Sequence, residues 1–121
     1  MIKIFPNITY KLIYNDKGYE ITAYERISIK SLEKKIITLP VYNDHSLSKY
    51  LSFELDKKLS LDGISCPWTN INENESNRGI QLLLINNNFD FYQTTALQQI
   101  TGSKYRIDIK PGEIIGRVYI N

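Results

Sequence analysis

The chain has 121 residues, 42% of them hydrophobic and 23% charged, which suits a folded body with one core and argues against wholesale disorder. Fifteen basic residues against thirteen acidic leave a charge of only +2, too small a surplus to mark a nucleic-acid binder. A single cysteine forms no internal disulfide, and one cysteine with one histidine is too few soft ligands for a structural zinc site.

No apolar run approaches the ~20 residues that span a bilayer, and MIKIFPNITYK lacks the organisation of a signal peptide, so the expected setting is cytoplasmic. The skew toward Ile, Asn, Lys and Tyr is that of AT-rich coding sequence, as in low-GC bacteria and their phages.

Period-2 alternation dominates from the start. Ile8, Tyr10, Leu12 and Tyr14 fall on one face of a predicted strand, and Asn15-Asp16-Lys17-Gly18 supplies turn chemistry. Tyr19, Ile21 and Ala23 then alternate with polar neighbours, which completes a hairpin signal, and Ile27 and Ile29 read as a continuation of its second strand. Ser31 to Lys34 is a tight connection. Residues 35–42 form a further β run in which Pro40 suggests a sheet edge or strand end. Residues 43–49 are a polar loop. Leu51, Phe53 and Leu55 mark the next strand, and Asp56-Lys57-Lys58 and Asp62-Gly63 read as turns around a short piece.

Residues 64–68 are a short segment broken by Pro67. Thr69 to Gly79 is the most polar stretch, expected as a mobile surface loop. Ile80 to Asn86 is nearly continuous apolar, as for a strand covered on both faces. Residues 89–94 are expected as a strand and 96–100 as one helical turn. Tyr105, Ile107 and Ile109 alternate again. Lys110-Pro111-Gly112-Glu113 has the chemistry of a type II turn, and Ile114 to Ile120 is the closing strand. The prediction is an all-β, single-domain chain of about eight to ten short strands: a sandwich, a jelly roll or a small β-clip-like barrel.

Two segments resemble a known group. Residues 78–86, RGIQLLLIN, resemble the strand after the "RG" of the deoxyuridine triphosphatase and deoxycytidine triphosphate deaminase superfamily. Residues 109–118, IKPGEIIGRV, resemble its late Pro-Gly-Asp turn and strand, and residues 27–37 are a looser echo of an earlier segment; together they cover about a third of the chain. The resemblance implies a β-clip fold and a nucleotide-shaped pocket between subunits, usually of a trimer. It does not imply hydrolysis. The family's aspartate-containing motif and its Arg-Ser phosphate-binding segment are not visible, and before Arg78 the chain has Asn72 to Asn77 where the family places an Asp and a Tyr.

Chemistry-bearing residues are few. His45 is the only histidine, and its neighbours Asp44, Ser46 and Ser48 fix no triad; solvating the turn is their bland reading. Cys66 beside Pro67 reads as a small buried hydrophobe rather than a nucleophile. Glu73 and Glu75 lack the spacing of a calcium loop. The more useful signal is arginine with aromatics, since guanidinium binds phosphate bidentately and a half-exposed ring stacks on a base. Trp68, Arg78, Tyr92, Arg106 and Arg117 are the candidate ligand contacts, against the ordinary reading of ring and charge in strand surfaces.

Three functions follow as expectations. The first is a non-catalytic binding protein without cofactor or metal, a homo-oligomer sequestering a nucleotide-like small molecule between subunits, as a phage anti-defence protein would. The second is a structural or protein-interaction β-module, such as a virion component or host-protein inhibitor. The third is a divergent magnesium-dependent nucleotide hydrolase using Asp62, Glu73 or Glu75. Membrane and nucleic-acid partners are not expected.

Overall fold

Short stretches rich in Ile, Leu, Val and Tyr, each bounded by Asn, Asp, Gly or Pro, have the composition of half-buried pleated strands. The computed structural model describes residues 2–15, 17–45, 49–73, 78–89 and 105–121. In them the strands are β1 (Ile2–Ile4), β2 (Leu12–Asn15), β3 (Gly18–Thr22), β4 (Ile27–Ile29), β5 (Lys34–Thr38), β6 (Val41–Asn43), β7 (Leu51–Leu55), β8 (Ile64–Thr69), β9 (Gln81–Asn86), β10 (Ile107–Ile109) and β11 (Ile114–Ile120). One short helix, α1 (Lys57–Leu61), follows β7.

All the pairing is antiparallel. The order is β2-β3-β11-β7 in one sheet and β5-β9-β8 in another, with the two-stranded pairs β1-β6 and β10-β4. The architecture is all-β, and none of these sheets closes into a barrel. One apolar cluster joins them. Ile21, Ile29, Val41, Leu82, Leu84, Ile109, Ile115 and Val118, drawn from all four sheets, are withdrawn from water. Each such side chain stabilises the fold by about 1.5–3 kcal/mol relative to exposure.

The eleven described strands exceed the eight to ten expected because two apolar runs are broken. The run from Tyr19 to Ile29 splits at residues 23–26: β3 joins the four-stranded sheet and β4 pairs with β10. The run 35–42 splits at Leu39 and Pro40. Pro40 has no N–H for a ladder, and the Leu39 N–H turns to the Ile80 carbonyl. The first strand is shorter than its alternation suggested and starts only at Leu12. Beside it, the Tyr10 hydroxyl donates to the Thr22 carbonyl (2.6 Å) and accepts from the Thr22 N–H (3.0 Å), filling the place of a backbone partner.

The expected turn after β7 is instead α1, whose N-cap Asp56 accepts from the Lys58 N–H at 3.2 Å. The expected broken segment around Pro67 is the strand β8, which keeps its pairing with β9 by shifting register between Ser65 and Trp68. β9 is buried alternately, not on both faces: Leu82, Leu84 and Asn86 point inward. The ends of the polar loop after β8 are tied down. Asn70 bonds Gln81 (2.7 Å), and Asn72 bonds both the N–H and the carbonyl of Leu51 (2.9 and 2.7 Å). The hairpin turn before β3, the tight connection before β5 and the turn at residues 110–113 are as read, the last with Gly112 at φ 88° and Glu113 N–H on the Lys110 carbonyl. The expected strand at 89–94 lies outside the described residues from position 90 on, as does the helical turn at 96–100.

Candidate functional site

The break between β3 and β4 exposes Tyr24, Glu25 and Arg26 along a groove of about 690 Å³. The groove is also lined by Lys35 and Ile36 on the edge of β5 that pairs with no other described strand, and by Leu39, Pro40 and Phe5. Ile36 is 58% exposed there, unusual for an isoleucine in a strand.

Both rings of the groove are held from behind. Tyr24 meets Tyr10 edge-on at 6.2 Å between ring centres, and Tyr10 is itself fixed on Thr22. Phe5 packs on Tyr42 at 4.9 Å, and its N–H donates to the Pro40 carbonyl. Preoriented rings lose little entropy on stacking against a planar ligand.

The cations have their own organisation. Lys35 Nζ donates to the Ser28 carbonyl at 2.8 Å, which brings the ammonium from β5 to β4. Ser28 pairs with Asp108 across β4 and β10. Asp108 faces Arg26 on one oxygen (3.8 Å) and Arg106 on the other (3.4 Å). The Ser28 hydroxyl and the two guanidiniums hold the Asp108 carboxyl below its usual range, against the opposing effect of desolvation. Two guanidiniums thus flank the Asp108 carboxylate, and one of them, Arg26, lines the groove together with Lys35 and the two rings. Such a site can bind an anion carrying a planar ring.

The residues singled out from the sequence fall in different places. Arg106 does not line the groove; it pairs with Asp108, which also faces the lining residue Arg26. Arg78 adjoins Gly79, which lines the groove, but itself lies in a small cleft with Asn43 and Glu73. Trp68 is on the other side of β9, in a separate cleft of about 280 Å³ between β7 and β8, with Tyr50, Phe53 and Cys66. Arg117 projects from the four-stranded sheet between Glu20 (3.6 Å) and Asp56 (3.7 Å), whose carboxylates offset its charge. Tyr92 lies outside the described residues.

His45 holds its loop rather than a nucleophile: its ring Nε2 meets the Glu73 carbonyl at 3.0 Å. The Cys66 thiol is pushed up by burial and donates to the Trp68 carbonyl at 3.4 Å. Asp62 lends its carbonyl to Asn88 Nδ2 (2.7 Å), and Glu75 lies outside the described residues. Among the described residues no three His, Cys, Asp or Glu side chains converge as a metal-holding group.

Sequence reasoning missed Phe5, Tyr24, Arg26, Lys35 and Asp108. A signal was present in Tyr24-Glu25-Arg26, a polar and aromatic triplet interrupting an apolar run, which is where a strand leaves one sheet and opens a groove.

This is a dUTPase-like all-β fold. The native EIAV dUTPase structure aligns over 99% of this chain and 87% of its own, with a TM-score of 0.68 and 16% sequence identity. No protein-family model matches the chain, and no curated protein matches its sequence. At that identity the likeness establishes the fold, which is the one the resemblance implied. No described helix is long and apolar enough to cross a membrane.

Proposed function

We propose that this chain is a binding protein that holds a nucleotide-like ligand, a planar ring bearing phosphate, in the groove of Phe5, Tyr24, Arg26 and Lys35 without breaking a bond in it. The observation that carries the reading is the pairing of preoriented rings with a cationic lip in one groove. Its volume, about 690 Å³, falls in the range of roughly 300–1,000 Å³ usual for small-molecule sites. The name of the EIAV dUTPase adds a nucleotide ligand as a precedent on the same fold.

The groove's own carboxylate, Glu25, stands beside cations and rings rather than opposite a second acid placed for proton transfer. The chain also carries Asn72 to Asn77 where the resembling family carries its acid and tyrosine. Both points support retention over turnover. The edges of β2 and β5 that pair with no other described strand, with Tyr14 and Ile36 exposed on them, support a homo-oligomer in which a second copy completes the groove. A cytoplasmic protein that sequesters a nucleotide signal, in the phage setting the composition suggests, fits these features.

The test is to incubate purified protein with a nucleotide mixture, separate and heat it, and identify what is released. Retention of one nucleotide unchanged, lost in Tyr24→Ala, is expected. Multiple turnover with magnesium would replace this reading with the hydrolase. No retained nucleotide, with a host protein captured instead, would replace it with the interaction module.

A further inference from the structure

Strand β5 pairs with β9 on one side, and its other edge pairs with no described strand. The phase of the ladder fixes which backbone groups that edge presents. Glu33 and Leu39 flank β5 and both bond toward β9: the Glu33 carbonyl accepts from the Asn86 N–H (3.1 Å), and the Leu39 N–H donates to the Ile80 carbonyl (2.8 Å). Successive residues of an antiparallel strand bond to opposite sides. Lys34, Ile36 and Thr38 therefore turn their N–H and carbonyl groups away from β9. Side chains alternate as well. Ile37 packs on the core, so Ile36 stands on the outer face of the sheet, opposite Leu83, which in turn stands opposite Trp68. Along that row Ile36 is 58% and Trp68 39% exposed.

We propose that the occupant of this edge is the same strand of a second copy, β5 against β5, antiparallel about a two-fold axis at Ile36. The charge pattern of the strand selects this arrangement. An axis at Lys34 sets Lys34 against its own copy, and an axis at Lys35 does the same to Lys35; like charges directly opposite are destabilising. An axis at Ile37 or Thr38 shortens the overlap and runs it toward Pro40, which has no N–H to donate. Only the axis at Ile36 overlaps all five residues and gives each lysine an uncharged neighbour, Lys34 opposite Thr38 and Lys35 opposite Ile37. It also carries the row of Trp68, Leu83 and Ile36 across the axis into one sheet of six strands, three from each copy. Such a pairing uses the same edge on both copies and so closes at two. Lys35 to Thr38 line the groove, so the partner's β5 borders it. The inference rests on the groove reading for its second copy and names the surface that copy uses, but it needs no ligand.

Sedimentation velocity of the intact chain across a micromolar concentration series tests it. A monomer–dimer equilibrium is expected. Ile36→Lys sets two ammonium groups against each other at the axis and should weaken the dimer by about ten-fold or more. Ile36→Pro removes an N–H that the β9 ladder does not use, so it should weaken the dimer too while the far-ultraviolet β signal stays. If Ile36→Pro fails to fold, Ile36→Lys, at an exposed position, carries the same test. Thr38→Glu has the opposite sign. It faces Lys34 of the partner subunit at two symmetric positions and should tighten the dimer by about five-fold. Adding Lys34→Glu to it should reverse that gain. Lys57→Ala, an exposed cation on α1, should change nothing.

A monomer at every concentration, a trimer, or a dimer indifferent to the Ile36 substitutions overturns the pairing. So does weaker association by Thr38→Glu, which would mean another register. Dimerisation with no retained nucleotide keeps the pairing and sinks the groove reading. Nucleotide retained by a chain that never dimerises does the reverse.

Discussion

Asn86 shows how much one side chain can carry. It is fully buried at the end of β9, where a hydrophobic residue would be the default. Its Nδ2 donates to the carbonyls of Ile29 (3.0 Å) and Tyr105 (2.7 Å), and its Oδ1 accepts from the Asn88 N–H (3.0 Å) and Nδ2 (2.8 Å). One amide thus ties β4, the approach to β10 and the turn after β9 into one corner. Asn86→Leu keeps the bulk and strands those groups, so it should cost about 2–4 kcal/mol in urea unfolding, more than one ordinary hydrogen bond. Asp108 carries a second prediction. Its carboxyl titrates below the usual 3.8, so the stability it adds is present above that value and is lost as pH falls through the lowered one. Asp108→Asn should therefore be less stable than the wild type at pH 5 to 7, the two converging on acidification, as thermal unfolding across pH would read. Neither role was legible in the sequence. Asn86 reads there as the polar end of the apolar run 80–86, and Asp108 as the polar partner in an alternating strand, because both act on residues far away in the chain.

Among elements, β11 is the member on which the four-stranded sheet is built, paired with β3 on one side and β7 on the other. Its seam with β3 needs a residue without a side chain at Gly18. There φ is 150°, and an added Cβ would stand 1.9 Å from the Val118 carbonyl oxygen. Gly18→Ala should cost about 3 kcal/mol or more, because two backbones must separate to admit the methyl group. The observable is a lower urea midpoint with loss of far-ultraviolet β signal at lower denaturant. The strand β11, the turn before it and the β2–β3 hairpin could be read directly, since alternation and turn chemistry are local properties. The splits at 23–26 and 39–40 could not. Whether a run stays in one sheet depends on which partner waits beside it, and here β4 finds β10, some 80 residues away in sequence. The helix α1 was missed for a related reason: a five-residue turn has too few positions for periodicity to register, and it forms on its Asp56 cap and the burial of Leu59.

At the scale of the molecule, four sheets share one apolar cluster. A core that continuous should unfold as a unit, so transitions followed by Trp68 fluorescence, local to β8, and by far-ultraviolet dichroism, which reports all strands, are expected to coincide. Two separated transitions would mean that the three-stranded sheet melts apart from the rest. The sequence by itself determined the all-β class, most strand positions and the turns between them. Alternating apolar residues dictate a buried face wherever they occur, and Gly, Asn, Asp and Pro dictate where the chain can reverse. Only the tertiary structure decided which charges and rings meet. It placed Trp68 and Arg78 in different clefts, set Arg117 between two carboxylates, and brought Phe5, Tyr24, Arg26 and Lys35 to one groove. Such a site is made by long-range strand pairing and core packing, which single-chain periodicity does not encode.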